Sequence, residues 1–312
     1  MGINALIIGF GSIGQRHFEI LNRISSVENI EIVTRQSITD YPTQRDLYSI
    51  NELQYFDYFI ICSETHKHFK QLEYLEHNVN GKIILVEKPL FAECQGLSVS
   101  NNQILVGYNL RFDPIIRMLR KWLAEEKTLS ANIITGQYLP DWRSDRDYRL
   151  SYSASKEKGG GVLLDLSHEI DYTQWLFGRY KHLEAINEKI SNLEITSDDY
   201  LALIGKTVNG CMITMTLDCI SKIPQRKMTI HTTNYTILAD LITGRLLRQA
   251  KDNKSEEVLF NRSERNESYE AMHGSILDNQ ASDVCTLAEG YMTMEIIEKI
   301  RQSSKKKGWN GV

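Results

Sequence analysis

The sequence predicts an α/β protein with two domains: an N-terminal parallel sheet with crossover helices, and a C-terminal α+β domain with a mostly antiparallel open sheet. Short apolar strands alternate with helical segments up to about Trp122, a pattern typical of parallel sheets. Beyond Ala131, longer strands follow one another with few helices between them. A chain of 312 residues is long enough for two cores. We therefore predict domains at 1–122 and 123–312, with the last helix able to pack back on the first domain.

The first domain is predicted to contain five short buried strands. In chain order they are Ile3–Ile8, Glu31–Thr34, Asp57–Cys62, Lys82–Glu87 and Gln103–Tyr108. Helical patterns run from Ile13 to Ile24 and from about His66 to Asn78. A third helix begins at Pro114, because proline suits the first turn of a helix.

The second domain is predicted to be rich in strands. In chain order they are Ala131–Tyr138, Glu184–Ile190, Tyr200–Lys206, Cys211–Cys219, Lys227–Thr233 and Tyr235–Leu241. The glycine triplet Gly159–Gly161 opens a single amphipathic helix that ends at Phe177, and a closing helix is expected from about Thr286 to Ser303. Consecutive strands without helices between them indicate an antiparallel or mixed open sheet.

The composition excludes several classes of protein. The formal net charge of −4 argues against nucleic-acid binding, which usually needs a basic face. No window approaches the roughly 20 apolar residues of a membrane span, and the N-terminus lacks the layout of a signal peptide. The five cysteines are scattered, which predicts reduced packing residues and no metal site. We expect a cytoplasmic protein that contacts neither nucleic acid nor membrane.

The segment Gly9-Phe10-Gly11-Ser12-Ile13-Gly14 has G-x-G-x-x-G spacing directly after the first strand, where Ser12 and Ile13 open a helix. Gly9 permits a tight turn, Gly11 lets the backbone approach a pyrophosphate, and Gly14 allows close packing of helix on strand. The helix N-terminus offers free amides and a partial positive charge to the anion. This context predicts a Rossmann dinucleotide-binding site, and a glycine-rich turn without a ligand is the alternative.

The end of the second strand bears on the choice of cofactor. NAD enzymes often carry Asp or Glu about 20 residues beyond the glycines, where it holds the ribose 2′-hydroxyl. This chain has Thr34 and Arg35 there and no carboxylate. Because a guanidinium suits the 2′-phosphate of NADP, NADP is the preferred cofactor and NAD the alternative. Arg35 as an ordinary exposed arginine is the competing interpretation.

Two further segments carry residues suited to proton transfer. Lys88 follows a predicted parallel strand, and ligands of such sheets bind beyond the carboxyl ends of the strands. Its bond to Pro89 is a candidate for the cis form, and a lysine in a surface turn is the alternative. Asp165, His168 and Asp171 recur at three-residue intervals after the glycine triplet, so they lie along one helical face. An imidazole beside a carboxylate can transfer protons near neutral pH, and the alternative is a surface helix with a capping aspartate.

Five motifs together resemble the glucose–fructose oxidoreductase / inositol dehydrogenase / MocA (Gfo/Idh/MocA) family of NAD(P)-dependent oxidoreductases. They occur in the family's order over about the first 180 residues, as Gly9–His17, Ser63–His68, Val86–Leu90, Gly107–Pro114 and Gly159–Gly178. Two features depart from the family pattern. The step from Asp165 to His168 is three residues where the family more often has four, and the segment after Pro89 is short, so its crossover helix must be reduced.

The resemblance implies roles for individual residues. Lys88 would be the main catalytic residue, His168 its acid–base partner, and Asp165 would orient the substrate or His168. Residues expected at the cofactor, besides the glycine turn, are Thr34, Arg35, Cys62, Ser63, Glu64, His68, Glu87 and Lys88. Residues expected at the substrate are Tyr108, Asn109, Arg111, Trp142, Arg143, Tyr148, Asp165 and His168.

The resemblance further implies reversible hydride transfer between a nicotinamide and a secondary hydroxyl or ketone of a sugar. Arginines and aromatics in residues 140–149 could grip a sugar diphosphate, and the loop resembles family members linked to bacterial surface polysaccharides, so a nucleotide-activated sugar is expected. One alternative is a nicotinamide-retaining glycoside hydrolase or lyase that oxidises its sugar transiently, and another is a non-catalytic NADP sensor. The uncovered face of the open sheet predicts a homodimer or homotetramer.

Overall fold

The computed structural model describes residues 2–142, 147–264 and 266–306. These residues form fifteen strands: β1 (Ile3–Ile8), β2 (Val27–Val33), β3 (Thr43–Gln44), β4 (Tyr58–Ile61), β5 (Ile83–Val86), β6 (Gln103–Val106), β7 (Thr128–Gly136), β8 (Tyr180–Glu188), β9 (Tyr200–Thr207), β10 (Met212–Asp218), β11 (Gln225–Thr232), β12 (Tyr235–Asp240), β13 (Arg245–Ala250), β14 (Ser255–Leu259) and β15 (Cys285–Thr286). They also form seven α-helices: α1 (Ser12–Leu21), α2 (Thr65–Asn78), α3 (Pro114–Leu123), α4 (Val162–Asp165), α5 (Ser167–Phe177), α6 (Glu267–Leu277) and α7 (Leu287–Lys305).

Contacts within the chain separate two compact units. They are Met1–Phe112 with Asn266–Tyr291, and Asp113–Arg265 with Met292–Val312. The first change of unit comes before α3, whereas the sequence pattern extended the first domain to residue 122. Helix α3 belongs to the second unit because it packs on α5, where the Arg120 guanidinium lies 3.8 Å from the centre of the Trp175 ring.

The first unit is built on a seven-stranded sheet with the order β15-β6-β5-β4-β1-β2-β3. Its described strands pair in parallel except β15, which pairs antiparallel with β6. All four residues of β4 and the last four of β1 are buried, as the continuous apolar segments indicate. The predicted parallel sheet is therefore confirmed, with α1 and α2 as crossover helices. Residues 87–102, all described, contain no helix, in agreement with the reduced crossover expected after Pro89.

Helix α6 is a part of the first unit that the sequence analysis did not predict. Its Tyr269, Met272 and Ile276 enter the same apolar core as β1 and β4. Together with buried His273 they have the i, i+3, i+4, i+7 spacing of a helix face. The spacing could have identified the helix, but the polar His273 and the following Gly274 weaken its apolar pattern.

The second unit is built on an eight-stranded sheet with the order β14-β13-β12-β11-β7-β10-β9-β8. Among its described strands only β7 and β10 pair in parallel, so the predicted mostly antiparallel sheet is confirmed. Burial alternates along β9 and β10, because one face of the sheet packs on helices α4 and α5. Strands β13 and β14 were not predicted, since their sequences are largely polar and charged.

No helix in the described part of the chain is both long and apolar enough to cross a membrane.

Candidate functional site

The glycine turn after β1 has the shape that a bound dinucleotide requires. Gly9 has a φ of +102°, which L side chains rarely adopt, and a Cβ there would lie 2.7 Å from the backbone nitrogen of Ser63. A Cβ on Gly14 would collide with the carbonyl oxygen of Gly9, so the helix and the turn are in close contact. A Cβ on Gly11 would meet no described atom within 4 Å. The turn is therefore crowded at both ends and open in the middle, where a pyrophosphate would approach.

The N-terminus of α1 meets the same opening. The helix begins at Ser12, and both Gly11 and Ser12 are exposed. Its first turn, residues 12–15, carries no acidic side chain that would oppose an anion. The first amides of a helix have no intrahelical acceptor, so those of Ser12, Ile13 and Gly14 suit an anionic ligand. The residues present therefore fit the pyrophosphate of a dinucleotide.

The loop after β2 lies against the glycine turn. The side-chain amide of Gln36 donates a 3.0 Å hydrogen bond to the carbonyl oxygen of Phe10. The backbone N–H of Gln36 donates to the Thr34 hydroxyl at 3.2 Å. Thr34 is buried, whereas Arg35 beside it is exposed. Arg35 can thus reach solvent next to the turn, and its part in cofactor choice stays a prediction.

The loop after β4 also contacts the turn. The buried Cys62 thiol donates to the carbonyl oxygen of Gly9 at 3.1 Å. Burial raises the pKa of Cys62 well above its usual range, so this side chain remains a thiol. Ser63 is half-buried and Glu64 is exposed. Cys62 therefore supports the turn from inside the unit, while Ser63 and Glu64 are the members of this loop that a ligand could reach.

His68, expected beside the cofactor, lies in the interior of the first unit and is 1% exposed. Its Nδ1 lies 3.2 Å from the carbonyl oxygen of Pro89 and 3.3 Å from that of Leu90, and its Nε2 lies 3.1 Å from that of Ser63. Burial lowers the pKa of His68 below its ordinary value, although the three carbonyl groups oppose this. The ring joins the loop after β4 to the loop after β5, and its direct contact with a cofactor stays a prediction.

Lys88 lies in the turn after β5, where it is half-buried, and its bond to Pro89 is cis as the sequence suggested. The neighbouring Glu87 is buried and accepts the Lys88 backbone N–H at Oε2, 3.2 Å away. Its Oε1 lies 3.0 Å from Nε2 of His17, whose Nδ1 lies 2.8 Å from Nε2 of His273. No role could be predicted for His17 or His273 from the sequence, because nothing local in either segment indicates that they meet.

Three residues expected at the substrate are buried in the first unit. Tyr108 is 1% exposed, and Asn109 donates a 2.7 Å hydrogen bond to a serine hydroxyl at the start of α6. Arg111 is 3% exposed and donates to Glu289 at 2.9 Å. Burial opposes the ionisation of Glu289, but Arg111 lowers its pKa below the ordinary value. Contact of these three side chains with a substrate stays a prediction.

The prediction of a single helix after the glycine triplet is wrong, because the structure has two helices there. Helix α4 ends at Asp165 and α5 follows after Leu166, whose φ of −100° and ψ of 28° lie outside the α-helical region. Asp165 and His168 therefore belong to different helices and do not share one regular face with Asp171. The apolar periodicity continues across the break, which is why the sequence pattern did not reveal it.

The alternative of a surface helix is also wrong, since Asp165 is 6% and His168 8% exposed. Another segment of the polypeptide lies close to the glycine triplet. A Cβ on Gly161, whose φ is +119°, would collide with the carboxylate of Asp198. Asp198 accepts the first two amides of α4, one at its backbone oxygen and one at Oδ2. The triplet thus lets the loop before β9 cap α4.

Glu169, directly after His168, is fully buried. Its Oε1 accepts from Nε of Arg226 on β11 at 2.8 Å and from the hydroxyl of Thr135 on β7 at 3.0 Å. Burial alone would lower the pKa of Arg226, but the Glu169 carboxylate raises it above its ordinary value. The three residues fix α5 on the sheet next to His168. They are distant in sequence, so the sequence analysis gave none of them a role.

The loop expected to grip the substrate is described in part. Trp142 and Tyr148 pack on a small apolar cluster that includes Leu139 and Cys219. Arg143 lies outside the described residues. Contact of these residues with a substrate stays a prediction. The described part of the chain holds no group of three or more His, Cys, Asp or Glu side chains that could bind a metal ion.

Comparison with known proteins connects this geometry to a family. A solved structure of levoglucosan dehydrogenase in complex with NADH and levoglucosan has a TM-score of 0.83 at 18% identity, covering 99% of this chain and 98% of that chain. The solved structure of UDP-N-acetylglucosamine 3-dehydrogenase from Acidithiobacillus ferrooxidans has a TM-score of 0.77 at 17% identity. The match covers 98% of this chain and 99% of that chain. At these identities the structures establish the shared fold.

Sequence comparison gives the family. Levoglucosan dehydrogenase of Pseudarthrobacter phenanthrenivorans is 30% identical over 115 residues, which is 34% of this chain and 30% of that relative's length. The family described as "Oxidoreductase family, C-terminal alpha/beta domain" matches residues 131–312, more than half of the chain. The chain therefore belongs to the Gfo/Idh/MocA family of oxidoreductases.

Proposed function

We propose that the protein is a nicotinamide-dependent dehydrogenase or reductase that interconverts a secondary hydroxyl and a ketone on a sugar. The observation that carries the proposal is the glycine turn, crowded at Gly9 and Gly14 and open at Gly11, beside the exposed N-terminus of α1. Levoglucosan dehydrogenase and UDP-N-acetylglucosamine 3-dehydrogenase, which share the fold, are named for sugar substrates. The glycine turn is the support for a dinucleotide cofactor. The names of the two enzymes are the support for a sugar substrate.

The chain would supply three functions to this reaction. The first amides of α1 and the open space at Gly11 would hold the pyrophosphate. Lys88 would stabilise negative charge that develops on the substrate oxygen. His168, oriented by Asp165, would take the hydroxyl proton during oxidation and return it during reduction. The bound nicotinamide supplies the acceptor, or the donor, of the hydride.

The first test replaces the proposed catalytic lysine. Lys88→Met removes the ammonium but keeps most of the side-chain volume, so we expect kcat to fall by about 10²–10⁴ while the cofactor Kd stays within about two-fold. Lys70→Met on α2, an exposed position, is the matched control. Near-normal turnover in Lys88→Met would refute the proposed role. Net oxidation or reduction of added cofactor separates this activity from a transient-redox hydrolase or lyase.

We further propose that NADP is preferred over NAD, with Arg35 as the partner of the 2′-phosphate. The support is an exposed guanidinium at the end of β2 and the lack of a carboxylate in residues 34–37. Arg35→Ala should weaken NADPH about ten-fold and leave NADH unchanged, measured by fluorescence titration. Arg45→Ala, also exposed, controls for a general loss of positive charge. Equal discrimination in Arg35→Ala and wild type would remove Arg35 from this role.

The finer substrate class proposed is a nucleotide-activated sugar. Its support is the composition of residues 140–149, where arginines and aromatics are mixed. The expected result is turnover of a nucleoside-diphosphate sugar at lower KM than the corresponding free sugar. A lower KM for the free sugar would contradict it.

We also propose that the open face of the second sheet joins copies of the chain into a homodimer or homotetramer. Ile204, Met212 and Leu238 of this sheet are exposed apolar side chains. Sedimentation of a strict monomer at micromolar concentration would contradict this.

A further inference from the structure

Four side chains form a continuous buried hydrogen-bonded chain in the first unit. The hydroxyl of Tyr58 lies 3.0 Å from Nδ1 of His273, and Nε2 of His273 lies 2.8 Å from Nδ1 of His17. Nε2 of His17 lies 3.0 Å from Oε1 of Glu87. The members come from β4, α6, α1 and the turn after β5, and none is more than 4% exposed. Four elements of the unit therefore meet through polar groups inside an otherwise apolar core.

The donors and acceptors of this chain can all be satisfied in one direction. A neutral imidazole has one N–H donor and one acceptor nitrogen, and an ionised carboxylate only accepts. If both rings are neutral and His17 donates from Nε2 to Glu87, Nδ1 of His17 accepts from Nε2 of His273. Nδ1 of His273 then accepts from the Tyr58 hydroxyl. Both histidines are thereby assigned as Nε2–H tautomers, and every N–H or O–H donor of these four side chains has an acceptor.

The chain ends on the backbone that carries Lys88. Oε2 of Glu87 accepts the Lys88 backbone N–H, while Oε1 faces His17. Gly107 lies against the same carboxylate, and a Cβ there would be 2.8 Å from Oε1. The Glu87 carboxylate is therefore held at both oxygens and has a backbone against it. The orientation of this carboxylate fixes the direction of the Lys88 backbone N–H. The Lys88 side chain branches from the Cα atom bonded to that nitrogen.

At the end opposite Glu87, the hydrogen-bonded chain ends at Tyr58 inside the unit. Tyr58 is fully buried, and burial raises its pKa well above its ordinary value. Burial, with a smaller contribution from His17, lowers the pKa of His273 well below its ordinary value. A charged Tyr58 and a charged His273 are therefore both disfavoured, so this end of the hydrogen-bonded chain has the properties of a fixed scaffold rather than of a path for protons.

We propose that His17 and His273 are positioning residues, which act through the Glu87 carboxylate to hold the Lys88 backbone in the orientation that turnover requires. The inference rests on the proposed function only in giving Lys88 a catalytic role. The assignment of donors and acceptors among the four side chains does not depend on any enzymatic activity.

Nitrogen NMR of protein labelled at its eight histidines tests the assignment without substrate or cofactor. Signals of His17 and His273 are identified by their loss in His17→Gln and His273→Gln. At pH 7 both rings should show the neutral Nε2–H pattern. An Nδ1–H tautomer or a doubly protonated ring at either position would overturn the proposal.

Turnover of a graded variant series tests the consequence. His17→Leu should lower kcat about ten-fold with KM for the cofactor little changed, because it leaves Oε1 of Glu87 without its donor and misplaces Lys88 slightly. His17→Gln, which keeps one donor and one acceptor, should recover to within about three-fold of wild type. His273→Leu should fall between these, since it removes only the partner of His17.

A core variant controls for stability alone. Leu72→Ala on α2 opens a cavity in the same unit at a fully buried side chain that takes no part in these hydrogen bonds. If Leu72→Ala and His17→Leu are equally destabilised and equally slowed, or if folded His17→Gln is as slow as His17→Leu, the positioning role is refuted. If Lys88→Met retains turnover, the proposed catalytic role of Lys88 fails instead, and the NMR result still decides the hydrogen-bonded chain.

Discussion

Each of the two side chains proposed for catalysis has a buried glutamate as its neighbour in sequence, but the two glutamates have different partners. Glu87 precedes Lys88 and is joined to imidazole rings. Glu169 follows His168 and is paired with Arg226, with Thr135 as a second donor. One carboxylate thus relies on groups that can be neutral, and the other on a group that is always charged.

The difference shows two ways of keeping a carboxylate in an interior. The guanidinium of Arg226 compensates the charge of Glu169 directly, and its side chain retains 26% exposure, which lessens its desolvation. The histidine chain supplies a donor to Glu87 without a fixed opposite charge, so it relies on hydrogen bonding alone. The ion pair should therefore be the more sensitive to loss of a partner, and the histidine chain the more sensitive to pH.

The largest effect is expected at the ion pair. Arg226→Met should destabilise the protein by about 3–5 kcal/mol, because it leaves a buried carboxylate without its cation. The double variant Arg226→Met/Glu169→Leu should regain most of this loss. Lys227→Met, which removes the ion pair of an exposed lysine with the half-buried Asp240, should cost about 1 kcal/mol or less. Denaturant unfolding measures all three, and a loss in Arg226→Met no larger than that in Lys227→Met would contradict the comparison.

A smaller effect is expected in the histidine chain. His273→Phe removes no fixed charge but leaves Nδ1 of His17 and the Tyr58 hydroxyl to find new partners, at a cost of about 1–3 kcal/mol. Adding Tyr58→Phe should cost less than it does in the wild-type background, because the hydroxyl has already lost its acceptor. Strict additivity in this double-mutant cycle would show that the two groups are not coupled.

The smallest effect is a pH dependence confined to the first unit. Because the folded pKa of His273 and of His68 is lowered, the unfolded state binds protons first on acidification, so stability falls as pH drops from about 6.5 towards the folded pKa. Each histidine contributes a slope of up to about 1.4 kcal/mol per pH unit. His273→Phe should remove its share, whereas Arg226→Met should keep the slope. Unfolding curves at pH 7.5, 6.5 and 5.5 measure it, and an unchanged slope in His273→Phe would be the contrary result.

The parts of the molecule that could be predicted from sequence are those set by local patterns. The strands of the first unit are continuous apolar segments, and the spacing of the glycine turn is visible within six residues. The break at Leu166 was not predictable, since the residues on either side keep one apolar periodicity and the cap is Asp198, far along the chain.

The partners of buried polar groups likewise could not be predicted from the sequence. His17 and His273 are 256 residues apart, and Glu169 and Arg226 are 57 apart. The burial of Arg111 depends on Glu289, 178 residues later. A local pattern shows that a histidine or an arginine is present, but only the tertiary structure selects its partner.

Residues 266–291 belong to the first unit although about 150 residues of the second unit precede them. An N-terminal fragment that stops near residue 112 or 122 would lack β15, the α6 part of the apolar core and the imidazole that completes the chain behind Glu87. During synthesis on the ribosome, the first unit therefore cannot complete its core until residues 266–291 have emerged.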